Sequence, residues 1–422
     1  MKILVVGSGG REHAIIRKLR ENDNPEVGEI YALPGNGGIA HDAVCAGVKA
    51  TDIAGVTAFA AEKCIDFAVV GPDDPLCMGL VDALEAAGVP AFGPDKKAAA
   101  IEGSKIFAKG LMQKYGIPTA RWETFGDFRA ACDYIDAAGC PVVVKADGLA
   151  LGKGVFVCGS REEAREAARA LMVGRVFGES GARVVIEEFL TGPEVSVLAL
   201  TDGETLIPLV SAMDHKRAFD GDAGPNTGGM GAIAPSPFYT PEIAEICLRT
   251  IFLPTVKAMR AEGRTFKGCL YFGLMLTADG PKVIEYNCRF GDPEAQAVLA
   301  LLESDLLGLM LAARGGALKD VSVKFREGAA CCVVMASGGY PGKYETGFPI
   351  EGLDGRGQLP GASVFHAGDI VDGSGRLVTA GGRVLGVTCA APELKSAVDA
   401  AYAAVGRVSF KNMHYRKDIG RK

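Results

Sequence analysis

Ile3-Leu4-Val5-Val6-Gly7-Ser8-Gly9-Gly10-Arg11-Glu12-His13 reads as a buried strand closed by a glycine turn, with a helical pattern starting near His13. The pattern returns at Glu29 to Leu33 before Pro34-Gly35-Asn36-Gly37-Gly38, and at Ile65 to Val70 before Gly71-Pro72-Asp73-Asp74-Pro75. A helix-like stretch from Met78 to Ala87 then leads to a strand at Val89 to Phe92 and to Gly93-Pro94. Strands alternating with helices predict an open parallel sheet covered on both faces, with ligands beyond the carboxyl ends of the strands, where these turns fall.

The first turn invites a dinucleotide-binding reading, whose fingerprint needs glycine at its first and third positions and Gly or Ala at its sixth. The sixth position here is Glu12, so the fit fails where helix and strand pack most closely. A nicotinamide-dependent oxidoreductase is therefore the rival reading. What remains is a phosphate cradle at a helix N-terminus with Arg11 beside it, or a turn that needs glycine for backbone reasons alone.

A chain of 422 residues exceeds one ordinary core, and two to four domains are expected. The net charge of −6, with acids and bases interspersed and no Lys/Arg block, argues against nucleic-acid binding. The N-terminus enters a strand directly, so no secretory signal is expected, and no apolar run reaches membrane-spanning length. The 12 cysteines form no paired C-x-x-C motif, which favours reduced thiols in a cytoplasmic protein over a zinc site.

In Val283-Ile284-Glu285-Tyr286-Asn287-Cys288-Arg289, a strand pattern places Glu285 and Asn287 on one face, where they offer two oxygens to a hard cation. Arg289 follows as a fixed positive fork. The cluster suits a magnesium–nucleotide site, although Glu, Asn and Arg at a strand end also make an ordinary solvated rim. Upstream, Glu102-Gly103-Ser104-Lys105 opens a helix running to about Tyr115. The strand Pro141 to Val144 ends in Lys145, which needs an anionic partner because an unpaired buried ammonium is expensive. The loop through Gly148, Gly152, Lys153 and Gly154 leads to a second strand, Val155 to Cys158. It lacks the Walker A spacing and reads as a hairpin flap over triphosphate, or as a mobile surface hairpin. Arg183 to Ile186 ends in Glu187-Glu188-Phe189-Leu190, an extended connector able to bond adenine through its main chain, with Glu194 following for ribose. Arg161 to Met172 is a solvated amphipathic helix.

Together with Asp214-His215-Lys216-Arg217, Gly224 to Gly231, Glu285 to Glu294 and the terminal Arg416 to Gly420, these motifs resemble the ATP-grasp superfamily, and within it the phosphoribosylamine–glycine ligases, over essentially the whole chain. The resemblance implies an N-terminal Rossmann-like domain (1–101), a central ATP-grasp domain (102–320, flap about 119–190) and a small mixed α+β C-terminal domain (321–422). It implies ATP-dependent joining of glycine to 5-phosphoribosylamine through glycyl phosphate, in purine synthesis, by a monomer or weak homodimer.

The implied roles are residue by residue. Glu285 and Asn287 hold Mg²⁺, with Mn²⁺ a possible substitute. Lys105, Lys145, Gly148, Gly152, Lys153 and Gly154 bind or cover the phosphates. Glu187 and Leu190 take adenine, and Glu194 the ribose. Arg289 and Asp214 are catalytic, Arg289 by steadying the acyl phosphate. Gly9, Gly10, Arg11, Glu12, Gly71, Pro72, Lys216 and Arg217 receive phosphoribosylamine, although the stretch around Asp214 also reads as a charge-balanced surface loop. Asp73 departs from the Glu of many relatives, and Leu270 to Leu276 offers no acidic second metal ligand. The last hundred residues are expected to close the cleft without supplying chemistry. Another carboxylate–amine ligase, or a nucleotide-binding module without turnover, remains open from the motifs.

Overall fold

The computed structural model describes residues 1–21, 24–150 and 153–421. Strands β1 (Ile3–Gly7), β2 (Ile30–Pro34), β3 (Val44–Cys45), β4 (Phe67–Val70) and β5 (Ala91–Phe92) form the expected open parallel sheet, ordered β3-β2-β1-β4-β5. The apolar runs of β1, β2, β4 and β5 are buried on both faces, as a parallel sheet between helices requires, while the edge strand β3 leaves Val44 exposed. Helix α1 (Gly10–Arg20) starts earlier than its apolar pattern suggests, because Glu12 Oε2 accepts the Gly9 N–H at 2.6 Å and organises the first turn. Beyond α2 (Ile53–Glu62), a short helix, α3 (Asp73–Met78), occupies most of the stretch read as a turn, and the helix expected over 78–87 follows as α4 (Leu80–Ala86). Gly79 separates them at φ +96°, a left-handed geometry that ends α3. Then α5 (Lys96–Gly103) and α6 (Lys105–Tyr115) meet at Ser104, whose hydroxyl caps α6 by accepting the Phe107 N–H.

A second, antiparallel sheet contains β6 (Trp122–Phe125), β7 (Val142–Ala146), β8 (Val155–Cys158) and β9 (Val184–Glu188), ordered β6-β9-β7-β8. Helices α7 (Phe128–Ala138) and α8 (Arg161–Met172) share its small core, in which Ile135, Val144, Leu171 and Ile186 are buried. The chain continues through β10 (Glu194–Thr201), β11 (Leu206–Pro208), β12 (Met213–Asp214), β13 (Arg217–Phe219), β14 (Ala223–Asn226) and β15 (Gly231–Ala234). After α9 (Pro241–Cys247) and α10 (Leu253–Ala261) come β16 (Gly268–Thr277) and β17 (Gly280–Asn287). Here β11-β10-β16-β17 make a third sheet, and β13 pairs with β14 as a hairpin.

Following α11 (Glu294–Leu301) and α12 (Leu306–Gly315), the C-terminal part supplies β18 (Ala329–Ser337), β19 (Ser363–His366), β20 (Asp369–Val371), β21 (Leu377–Thr379), β22 (Arg383–Ala391), α13 (Leu394–Val405) and β23 (Met413–His414). Its main sheet runs β12-β15-β18-β22-β19, so strands from both sides of the expected division at 320/321 share one ladder. It also docks on the first sheet: Asn36 Nδ2 donates to Ser8 O at 2.9 Å and His366 O at 2.8 Å, and the His366 N–H donates to His13 Nδ1 at 2.8 Å. No helix among the described residues is long and apolar enough to cross a membrane.

Candidate functional site

A cleft of about 1040 Å³ lies where the second and third sheets face each other. That is the upper end of the range for a single drug-sized ligand. One geometric irregularity joins its walls. β16 and β17 slip register at Gly273/Leu274, leaving Ile284 outside the ladder, and the Ile284 carbonyl accepts a hydrogen bond from Lys145 Nζ at 3.0 Å. Gly273 lies opposite Glu285, and a Cβ there would come within 2.9 Å of Glu285 Cγ, so the glycine makes room for the carboxylate.

The anionic partner expected for Lys145 is Glu187, whose Oε1 is 2.9 Å away. Burial opposes ionisation of Glu187, yet Lys145 and Lys109 together hold its carboxyl below the usual range. Glu187 thus presents a buried side chain that fixes lysines, a feature its expected main-chain role did not include. Lys105 Nζ donates to Gly148 O at 3.2 Å, and burial pushes its ammonium below the ordinary lysine range. The loop base is tied down by Asp147: Oδ1 accepts from Ser104 Oγ and the Ile106 N–H, both at 2.9 Å, and Oδ2 pairs with Arg183. Gly148 leaves no room for a Cβ, which would sit 2.6 Å from Ser180 Oγ. At Gly154 a Cβ would meet that of Ala150 at 2.6 Å. Lys153 is exposed at the cleft mouth, and Gly152 lies outside the described residues.

Leu190, Ala120, Met275 and Ile284 form a small apolar cluster, and all but Ala120 line the cleft. Such a surface suits a flat aromatic base. Glu194 opens β10, with Lys216 Nζ 3.3 Å away. Lys216 also reaches Glu285 Oε1 at 3.1 Å, and this lysine is the main reason the Glu285 carboxyl is lowered to about 2. Glu285 and the Asn287 amide oxygen therefore give one ionised and one neutral hard-oxygen donor, a fit for a magnesium ion that takes its remaining ligands from phosphate and water. Among the described residues no cluster of three acidic, His or Cys side chains offers a complete protein cage.

Arg289 Nη2 contacts Glu102 Oε1 at 3.0 Å and Asn287 Oδ1 at 3.1 Å, with Asp73 at 3.9 Å. Burial works against the guanidinium charge, but Glu102 and Asp73 raise its pKa. Among the described residues its Nε has no hydrogen-bond partner. Asp214 Oδ1 is likewise unpartnered, and burial together with Glu294 pushes the Asp214 carboxyl well above its ordinary range. Glu294 Oε1 accepts from Ser196 Oγ, which also bonds the Tyr271 hydroxyl.

The first glycine turn has another occupant. Glu12 Oε1 accepts from Arg11 Nε at 2.6 Å, and a Cβ on Gly71 would lie 2.2 Å from the same oxygen. Arg11 and Asp73 reach the cleft lining, and so do Lys216 and Arg217; Gly9, Gly10, Glu12, Gly71 and Pro72 stand behind it. Pro72 precedes α3, and the Gly10 backbone faces Gln296.

Sequence reasoning assigned no role to several lining residues. Glu102 and Glu294 sit inside quoted motifs, and their burial, Glu102 against Arg289 and Glu294 against Ser196, was the missing signal. Arg383 and Tyr340 come from the C-terminal part, which was expected to supply no chemistry. Arg383 Nη1 donates to Gly228 O at 2.6 Å and Asp292 O at 2.9 Å, and the Tyr340 hydroxyl accepts the Gly228 N–H at 3.1 Å. This part thus contributes side chains to the cleft wall, and no local pattern announced them.

Comparisons with known proteins agree along the chain. Family models for phosphoribosylglycinamide synthetase match as the N domain over 1–102, the ATP-grasp (A) domain over 103–295 and the C domain over 330–422. Curated phosphoribosylamine–glycine ligases from Rhizobium meliloti (49% identity, 100% of this chain and 98% of the relative) and Caldanaerobacter subterraneus (46%, 99% of each) are similar throughout. The crystal structure of phosphoribosylamine–glycine ligase from Thermotoga maritima superposes with TM-score 0.86 at 34% identity, covering 99% of this chain and 100% of that one. A biotin carboxylase domain from Hydrogenobacter thermophilus shares the fold at 19% identity, TM-score 0.74, covering 98% of this chain and 91% of that one. The chain belongs to the phosphoribosylglycinamide synthetase family.

Proposed function

We propose that the chain joins glycine to 5-phosphoribosylamine with ATP, giving glycinamide ribonucleotide, ADP and phosphate in purine synthesis in the cytoplasm. The observation that carries the reading is the cleft in which Lys145 from one sheet meets the Glu285 strand of the other, in a chain of this family. Adenine would lie on Leu190 and Met275 and bond the connector at Glu187 and Leu190, with Glu194 at the ribose. Lys105 and Lys145 would hold phosphate oxygens under the loop from Gly148 to Gly154. Glu285 and Asn287 would hold magnesium, or manganese, which neutralises phosphate charge when bound; Lys216 would give up part of its hold on Glu285.

A glycine carboxylate oxygen would attack the γ-phosphorus, and the bond to the ADP oxygen would break with its electron pair. Arg289, braced by Glu102 and Asn287, would stabilise the negative charge on the transferring phosphoryl group, a task that a planar fork performs better than an ammonium. Asp214, held toward its neutral form by burial and Glu294, would ionise as glycine's ammonium arrives beside the two acids. That pairing keeps glycine's own nitrogen protonated, so that it cannot compete as nucleophile. The unprotonated amine of phosphoribosylamine would then attack the acyl carbon, the bond to phosphate would break with its electron pair, and the nitrogen would lose a proton to the departing phosphate. Arg11, oriented by Glu12, would hold the ribose phosphate on its cleft side, with the turn formed by Gly9, Gly10, Gly71 and Pro72 supporting Arg11 from behind and Lys216 and Arg217 across the cleft. ADP release with substrates omitted one at a time tests the reading: full turnover should require both glycine and phosphoribosylamine, and ADP formation indifferent to glycine would overturn it.

A further inference from the structure

Lys145 does not have Glu187 to itself. Glu187 is 2% exposed and lies between two buried ammonium groups, Lys145 at 2.9 Å from Oε1 and Lys109 at 2.9 Å from Oε2. Lys109, itself 2% exposed, also donates to Thr119 Oγ1 at 2.8 Å, and that hydroxyl donates to Val283 O at 2.6 Å. Both lysines are thereby moored to consecutive carbonyls, Val283 and Ile284, of the strand that carries Glu285. An isolated Lys145–Glu187 pair would be neutral, and a buried, neutralised ammonium offers little to an incoming polyanion. With Lys109 charged, the trio carries one net positive charge.

We propose that Lys109 is a positioning residue for ATP binding: by engaging the far oxygen of Glu187 it leaves the charge of Lys145 available to the triphosphate. The proposal rests on the nucleotide reading of the cleft. Lys109 has no place in the reacting centre; it acts through Glu187 and Lys145. Burial lowers its ammonium to about 8, against the opposing pull of Glu187 and Glu188, with Lys145 adding to the depression. Its charge is present below that pH and lost above it. Triphosphate affinity should therefore weaken as pH rises through 8, and adenosine, which carries no phosphate, should not report the change.

The experiment is calorimetric binding of ATP, and separately of adenosine, to the full chain with glycine omitted, at pH 7.5 and 9.5. Wild type is expected to lose about tenfold in ATP affinity between the two pH values. K109M should already be about tenfold weaker at pH 7.5, bind adenosine within about twofold of wild type, and show no further break. K109R keeps the charge and does not titrate in this range, so it should match wild type at pH 7.5 within about twofold and hold that affinity at pH 9.5. Equal ATP affinity of K109M and wild type at pH 7.5 would overturn the proposal, as would parallel loss of adenosine binding. So would a break that persists in K109R, because it would assign the titration to Lys105. If wild type bound neither ligand, the nucleotide reading would fall and the proposal with it; wild-type binding beside an unaltered K109M would remove the proposal alone.

Discussion

The two glycine-rich turns that dominate the sequence have opposite fillings. At Gly7 to Glu12 and Gly71, the space that glycine leaves is taken by the chain's own Glu12 carboxylate, which bonds the Gly9 N–H and Arg11. At Asp147 to Gly154, the base is fastened to α6 through Asp147, while Lys153 and Gly154 line the cleft. Glycine in both records close approach from within the chain, by the Glu12 carboxylate in one case and by the neutral Ser180 hydroxyl and Ala150 methyl in the other, so only the first turn is filled by an acid. A carboxylate already seated in the first turn would repel the pyrophosphate of a dinucleotide, which is a physical reason why that turn fails the fingerprint at Glu12.

Changes at the cleft should remove turnover and spare the fold, whereas changes at the first turn should lower stability and reach turnover only through phosphoribosylamine. The largest effect is expected at Glu285→Ala: ADP formation should fall about a thousandfold, roughly 4 kcal/mol of transition-state stabilisation, with an unaltered melting curve. Wild-type turnover at saturating magnesium would break the account of the cleft. Lys145→Met should lower kcat/KM for ATP by about a hundredfold, mainly through KM, because a charge-assisted phosphate contact is removed. An unchanged kinetic profile would exclude that contact.

Gly71→Ala sharpens the other side. Its Cβ would meet Glu12 Oε1 at 2.2 Å, so denaturant midpoints should report a loss of about 1–3 kcal/mol, while KM for ATP stays put and KM for phosphoribosylamine rises. Equal stability to wild type would mean that Glu12 is not packed there as described. The smallest effect concerns His13, just behind the same turn, which burial holds down to about 4. Its folded pKa lies below the ordinary 6.5, so the stabilisation is full above that value and is lost as pH falls toward 4. At pH 5.5 this amounts to about 1 kcal/mol, and His13→Gln should flatten the stability difference between pH 7.5 and 5.5. His366 opposes part of the loss: burial lowers its pKa, but Asp369 outweighs that and raises it.

What was legible in the sequence was local. β1, β2 and β4 announce themselves as apolar runs closed by glycine, and α6 by its Ser104 cap. The alternation at Glu285 and Asn287 survives in β17, where both side chains reach the cleft. What escaped depends on partners far along the chain. Glu102 acquires its meaning from Arg289, Lys109 from Glu187, and Arg383 from Gly228 and Asp292. The bulge that frees the Ile284 carbonyl for Lys145 is a property of two strands together, and the short helix α3 lies where Gly71-Pro72 and the acids after them read as a turn. Charged residues near a strand or helix end look the same in sequence whether solvated or buried, and burial decides their role.

In the proposed reaction the cleft activates a carboxylate by phosphorylating it. Glycine labelled with ¹⁸O in its carboxyl group, turned over with ATP and phosphoribosylamine, reports that step in the mass of the released phosphate. One labelled oxygen per phosphate is predicted, because the acyl–oxygen bond breaks when the amine attacks; phosphate free of label would contradict the claim.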